Sequence, residues 1–207
     1  MGNEVQSCTN CDLHKFALKG VPGEGDPNAE VMLIGEAPGF HENQQGRPFV
    51  GAAGQFLEQL LQSVGLTRKD VFIANVVKHR PPENRDPLPE EIATCDGYLS
   101  RQIDVIDPRA IVTLGRFSMN RFFPGERISR IHGQARRHGN RLVLAMYHPA
   151  AALHQGSLRR TIEEDFLRLP QVLEQARALR ATPPPLTSTP HPDKSAPAPE
   201  PKQLSLF

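Results

Sequence analysis

The chain has no tryptophan, two tyrosines and three cysteines in 207 residues. Three thiols cannot form the several disulfides that staple a small secreted domain, so the fold has to be held by its own apolar core. No run approaches the roughly 18 consecutive apolar residues of a membrane span. Met1 to Lys15 lacks a charged-then-apolar leader and carries two of the thiols, which argues against export. A soluble, cytoplasmic, monomeric protein with no membrane partner is expected. A surplus of one charge is missing too. The formal net charge is +1, so a polyanion would have to be met by a local patch rather than a global field. Arg127, Arg130, Arg136, Arg137 and Arg141 crowd together, with Arg159 and Arg160 beyond. They form a candidate phosphate-binding patch, and a merely solvated basic surface is an equal reading.

What is present suits one α/β domain. Strand-like apolar runs at Val31–Ile34, Val71–Val77, Ala110–Leu114 and Leu142–Met146 alternate with helix-like segments. That order predicts a three-layer α/β/α fold with a four-stranded parallel central sheet. Phe56, Leu57, Leu60, Leu61 and Val64 predict a helix over Ala52–Val64. Ile92, Cys95, Leu99 and Ile103 predict another starting near Pro89. A third is expected over Leu158–Leu179, kinked or divided at Pro170. After Arg180 the composition turns to Pro, Ser, Thr and Ala without apolar periodicity. Such a segment cannot bury enough surface to offset its ordering entropy. The expected organisation is a domain over 1–180, a disordered linker over 181–202 and an apolar pentapeptide over 203–207.

In an open α/β sheet, ligands bind at the carboxyl ends of the strands. Three loops fall there: Gly35-Glu36-Ala37-Pro38-Gly39, continuing through Gly46-Arg47-Pro48-Phe49-Val50-Gly51; Asn75-Val76-Val77-Lys78-His79-Arg80-Pro81-Pro82; and Tyr147-His148-Pro149-Ala150-Ala151-Ala152-Leu153. The glycines are not spaced as a dinucleotide fingerprint. Singly, a Gly/Pro-rich turn is structural more often than catalytic, and a lone His is usually a surface residue.

Jointly and in order, these segments resemble the family-4 uracil-DNA glycosylases over about Cys8 to Leu169. The resemblance implies a monofunctional DNA-repair enzyme that releases uracil from DNA and leaves an abasic site. It implies that Phe49 stacks on the extruded base, with Gly35 and Ala37 beside it, and that Asn75 reads the base edge. His148 would hydrogen-bond uracil O2 as the glycosidic bond breaks, and Glu36 would position or deprotonate the attacking water. Glu42 would stand at the C5 edge, against thymine's methyl group. Ala150, Ala151 and Leu153 match a loop that probes the duplex, and His132 is a further candidate DNA contact. Asn43 and His154 depart from the Asp and Arg more usual in the family.

Cys8-Thr9-Asn10-Cys11 and Cys95 invite metal ligation. By spacing, three Cys and one His would favour structural zinc. The resemblance instead implies a 4Fe-4S cluster on Cys8, Cys11, His79 and Cys95, with His79 where family members carry Cys. That His also occurs in an X-type branch that traps uracil-DNA covalently through a His in an inserted segment. The insertion is missing between Arg80 and Cys95, so turnover is expected, with a non-turnover or covalent binder as the alternative. A redox or electron-transfer protein is a third reading. Finally, Gln203, Leu204, Leu206 and Phe207 resemble the pentapeptide by which bacterial repair proteins bind the sliding clamp.

Overall fold

The computed structural model describes residues 1–181; Ala181, given to the linker, closes the last helix, and the rest of the linker and the clamp-like peptide lie outside the described residues. In chain order the elements are α1 (Gly2–Gln6), β1 (Glu24–Gly25), β2 (Val31–Gly35), α2 (Phe40–Gln45), α3 (Ala52–Ser63), β3 (Val71–Asn75) and α4 (Pro89–Ile106). There follow β4 (Ala110–Leu114), α5 (Arg116–Phe122), α6 (Ile128–Ile131), β5 (Ala135–His138), β6 (Arg141–Met146), α7 (Ala150–His154), α8 (Ser157–Phe166) and α9 (Leu169–Ala181).

The sheet order is β1-β3-β2-β4-β6-β5. The four inner strands are parallel, as expected. The expectation of four strands is corrected to a mixed sheet of six, because β1 and β5 add antiparallel edges. Both are polar and escape a search for apolar runs. The second edge is a hairpin closed by Gly139-Asn140 between the paired His138 and Arg141, with Gly139 in the left-handed region that such a turn demands. Its arginines suit an edge strand, since charge discourages pairing with another chain.

Inner-strand side chains alternate between two apolar layers. Leu33, Ile73, Val112 and Leu144 pack with Leu57 and Leu61 of α3, Phe166 of α8 and Leu169 of α9. Met32, Ile34, Ala74, Ile111 and Val143 pack with Cys95, Leu99 and Ile103 of α4 and Met119 of α5. Burial on both faces explains why these strands read as continuous apolar runs. Pro89 opens α4, and the Glu91 carboxylate accepts the Leu88 N–H at 2.8 Å. The third expected helix is two: it breaks at Leu167–Arg168, and Pro170 sits in the first turn of α9, where its missing N–H costs no hydrogen bond.

Among the described residues no helix is long and apolar enough to cross a membrane. The basic run is largely paired within the protein: Arg136 with Glu126, Arg141 with Asp107, Arg159 with Glu163 and Arg160 with Glu164.

Candidate active site

The carboxyl ends of β2, β3 and β6 meet at one cavity of about 560 Å³. Glu36, Phe49, Asn75 and His148 all line it, with Ala37, Glu42 and Ala150. Residues far apart in sequence thus converge on one cavity. Gly35, at the end of β2, packs directly against two of these side chains. A Cβ there would fall 2.4 Å from Asn75 Oδ1 and 2.7 Å from the Phe49 ring, so only glycine lets these two groups approach so closely.

Phe49 carries a positive φ of 52°, a conformation that costs about 1–3 kcal/mol for such a residue. Two charged side chains hold it. Glu42 Oε1 accepts the N–H of Val50 at 2.8 Å and of Gly51 at 2.9 Å. Arg68 donates to the carbonyls of Phe49 at 2.9 Å and Pro48 at 2.6 Å. Hydrogen bonds to charged groups contribute about 1.5–3 kcal/mol each, so the clamp outweighs the strain. Gly54 lets α3 close on the loop, since a Cβ there would overlap the Phe49 carbonyl. Glu42 therefore has a role that motif reading did not supply: it fixes the stacking ring.

Asn75 is 1% exposed, and among the described residues its Oδ1 has no hydrogen-bond partner. A buried amide oxygen left unpaired costs about 1–3 kcal/mol, and such an exception calls for a functional account. The ring of His148 stacks on Phe49 with centroids 5.4 Å apart and planes at 26°. Burial pushes its pKa down to about 4, with the Glu42 carboxylate opposing. The imidazole is thus neutral at physiological pH. Its Nδ1 accepts the Ala150 N–H at 3.1 Å, so the single ring proton sits on Nε2, making that nitrogen a neutral donor. Glu36 has its pKa raised to about 7, first by burial and then by the Asp86 carboxylate, against the pull of Arg116. Such a carboxylate is poised to take a proton near neutrality.

Sequence reasoning missed one wall. Asn84, Arg85 and Asp86 also line the cavity, just beyond the loop considered after β3, so the same rule reaches them. Of the other expected residues, Leu153 is half exposed on α7, beside Ala151 and the cavity-lining His154. His132 is not among the lining residues. Its Nδ1 lies 2.6 Å from Asp165 Oδ2, and its ring lies 4.9 Å from that of Tyr147.

The segment bearing Cys8 and Cys11 is pinned to the far layer. Asn43 Oδ1 accepts the Leu18 N–H at 2.8 Å, and Val21 N–H donates to the Lys78 carbonyl at 2.7 Å. Leu13 is buried in the same cluster as Cys95. Cys11 and Cys95 have their pKa raised by burial, and a charge on Cys8 raises both further, which places the three thiols in one electrostatic neighbourhood. Burial also lowers the pKa of His79, which keeps its imidazole neutral and able to ligate. Among the described residues no three His, Cys, Asp or Glu side chains converge tightly enough for a single metal ion. The donor set, three thiols with one neutral imidazole, is chemically able to hold a thiophilic metal group.

A cavity with an aromatic wall, an unsatisfied amide oxygen and a neutral imidazole donor is suited to hold and hydrogen-bond a planar polar heterocycle. Comparison with known proteins carries this further: residues 22–169 match the family model described as the Uracil DNA glycosylase superfamily, and the chain belongs to that superfamily. It is 49% identical to a type-4 uracil-DNA glycosylase of Sulfurisphaera tokodaii over 80% of each chain. It is 47% identical to one of Archaeoglobus fulgidus, covering 80% of this chain and 88% of that protein. It is 41% identical to one of Thermotoga maritima, covering 80% and 89%.

Proposed function

We propose that the protein is a monofunctional uracil-DNA glycosylase that hydrolyses the N-glycosidic bond of deoxyuridine in DNA, releasing uracil and leaving an abasic site. The observation that carries the reading is the buried Asn75 Oδ1 without a partner in the cavity that holds Phe49 and His148. Uracil N3–H donates to that oxygen while the Asn75 amide donates to O4. Cytosine presents the reversed pattern and would leave buried groups unpaired. Phe49 stacks on the extruded ring and offsets part of the cost of unstacking it from DNA.

As the bond between C1′ and the base nitrogen breaks, its electron pair goes to uracil, and the neutral Nε2–H of His148 stabilises the charge developing on O2. Water adds to C1′ and its proton passes to Glu36, whose charge also faces the cationic sugar. Glu42 walls the cavity against a 5-methyl group. Leu153, with Ala150 and Ala151, meets the gap left by the extruded nucleotide. A labelled uracil-containing oligonucleotide treated with protein and then alkali tests this. No cleavage of either single- or double-stranded substrate overturns it. The covalent alternative is disfavoured because the inserted segment that carries its His is missing between Arg80 and Cys95.

The cofactor proposed is a 4Fe-4S cluster held by Cys8, Cys11, His79 and Cys95, rather than zinc. When bound it supplies a structural cross-link between the N-terminal segment and α4. Anaerobic purification with visible absorption and counts of iron, sulfide and zinc decides between them. The pentapeptide of Gln203, Leu204, Leu206 and Phe207 is proposed to bind a bacterial sliding clamp, on its sequence pattern alone; binding lost on its deletion is the check.

A further inference from the structure

Next to the cavity wall stands an exposed aromatic ring. Phe40 is 53% exposed and opens α2 directly after Gly39, itself part of the cavity wall. The Arg80 guanidinium lies over this ring, 5.4 Å from its centroid. Arg80 follows His79 and precedes the cavity-lining Pro81, and its Nε donates to Oδ1 of the lining Asn84 at 2.7 Å. The His41 ring meets Phe40 edge to face at 5.4 Å. Ring and guanidinium are therefore fixed to the lip.

Two observations mark the pair as a surface for a ligand. A large apolar ring is left in water at the mouth of a polar site, where burial against a partner would be favourable. Arg80 also has no carboxylate partner among the described residues, whereas most arginines of the basic run are neutralised by Asp or Glu. An aromatic face beside an uncompensated guanidinium is the chemistry that recognises a nucleobase with its phosphate.

We infer that Phe40 and Arg80 form a stacking subsite for the base next to the extruded uracil in single-stranded DNA, with Phe40 under the base and Arg80 at the adjoining phosphate. The inference rests on the glycosylase reading of the cavity and adds a strand preference to it. In a duplex the neighbouring base is held by its pairing partner, by the stack on its far side and by Leu153 in the gap on its near side. In a single strand a face is free to settle on Phe40. Leu153, exposed on α7 beside the lining Ala150 and His154, provides a second apolar contact at the mouth.

The test compares wild type with Phe40→Ala, Phe40→Leu and Phe40→Trp on single- and double-stranded uracil substrates. Phe40→Ala is expected to raise KM on the single strand about tenfold, the usual loss for one base–aromatic stack, with kcat unchanged and duplex KM unmoved. Phe40→Trp restores the low KM and Phe40→Leu does not. Independently of catalysis, a uracil-free oligonucleotide with 2-aminopurine beside an abasic-site analogue should lose fluorescence on binding wild type and keep it on Phe40→Ala. An unchanged single-strand KM with equal quenching by both proteins overturns the subsite while leaving the glycosylase intact. Absence of uracil release by wild type would sink the underlying reading instead, and the quenching arm would still report on the ring.

Discussion

The two ends of one parallel sheet treat charge in opposite ways. At the amino ends of the strands the ionic groups are paired: Glu30, before β2, with Arg109 and Arg177, and Asp107, before β4, with Arg141 and Arg180. At the carboxyl ends polar groups are left wanting. Among the described residues Asn75 Oδ1 is orphaned, the Glu36 carboxylate has no hydrogen-bond partner and carries a raised pKa, and the His148 proton sits on a nitrogen at the cavity. Stability is served where charges are satisfied. Reactivity is kept where they are not, and the paired end helps to offset what the other end costs.

The largest effect expected from breaking the contrast is at His148. His148→Ala removes the neutral donor to O2, and kcat should fall about 10²- to 10³-fold, in line with loss of a single oxyanion donor, with KM little changed. Single-turnover rates measure it. A loss confined to KM would show that the ring only packs on Phe49. Next comes Asn75→Leu, which keeps the branch at Cγ and removes the orphan. Activity on uracil should fall about 10²-fold, while the melting temperature holds or rises because an unpaired buried acceptor costs about 1–3 kcal/mol. A lower melting temperature with activity retained would mean that the amide is a structural group.

The inner strands were legible because burial on both faces leaves nearly every residue of Val31–Ile34 apolar. The edges were not, because two residues of β1 and the Arg-rich β5 carry no apolar signature; the Gly139-Asn140 turn was the one available sign. Ordered motifs located Glu36, Phe49, Asn75 and His148. What motifs could not give is what neighbours impose through space: the neutral state of His148, set by burial and the Ala150 amide; the clamp of Glu42 and Arg68 on a strained Phe49; and the Asp86 charge on Glu36, fifty positions away in sequence. Pro170 was read as a breaker, yet the helix parts at Leu167, and the proline starts the next one.

A smaller effect sharpens the reactive end. If Glu36 acts as the carboxylate, kcat/KM rises with pH as its proton leaves, with the limb centred near its pKa of about 7. His148, already neutral above a pKa of about 4, adds no limb in that range. Asp86→Asn removes a like charge that raises Glu36 and also frees Arg116, which lowers it. Both changes move the limb to lower pH, so the ratio of activity at pH 6 to that at pH 8 should increase. An unmoved limb would place the titrating group elsewhere.

The smallest effect belongs to the paired end. Arg180 is 17% exposed and Asp107 50%, and the guanidinium meets the carboxylate through two bonds of 2.8 and 2.7 Å. The fork geometry favours the pair, but water around Asp107 screens it, so Arg180→Ala should cost about 1 kcal/mol or less. For a domain of this size that is a fall of roughly 2–4 °C in melting temperature, shrinking as salt is added. Uracil release at 25 °C should be untouched, since Arg180 lies at the opposite end of the strands from the cavity. A substantial loss of activity without loss of stability would mean that the two ends are coupled through the strands, and the division of labour between them would fail.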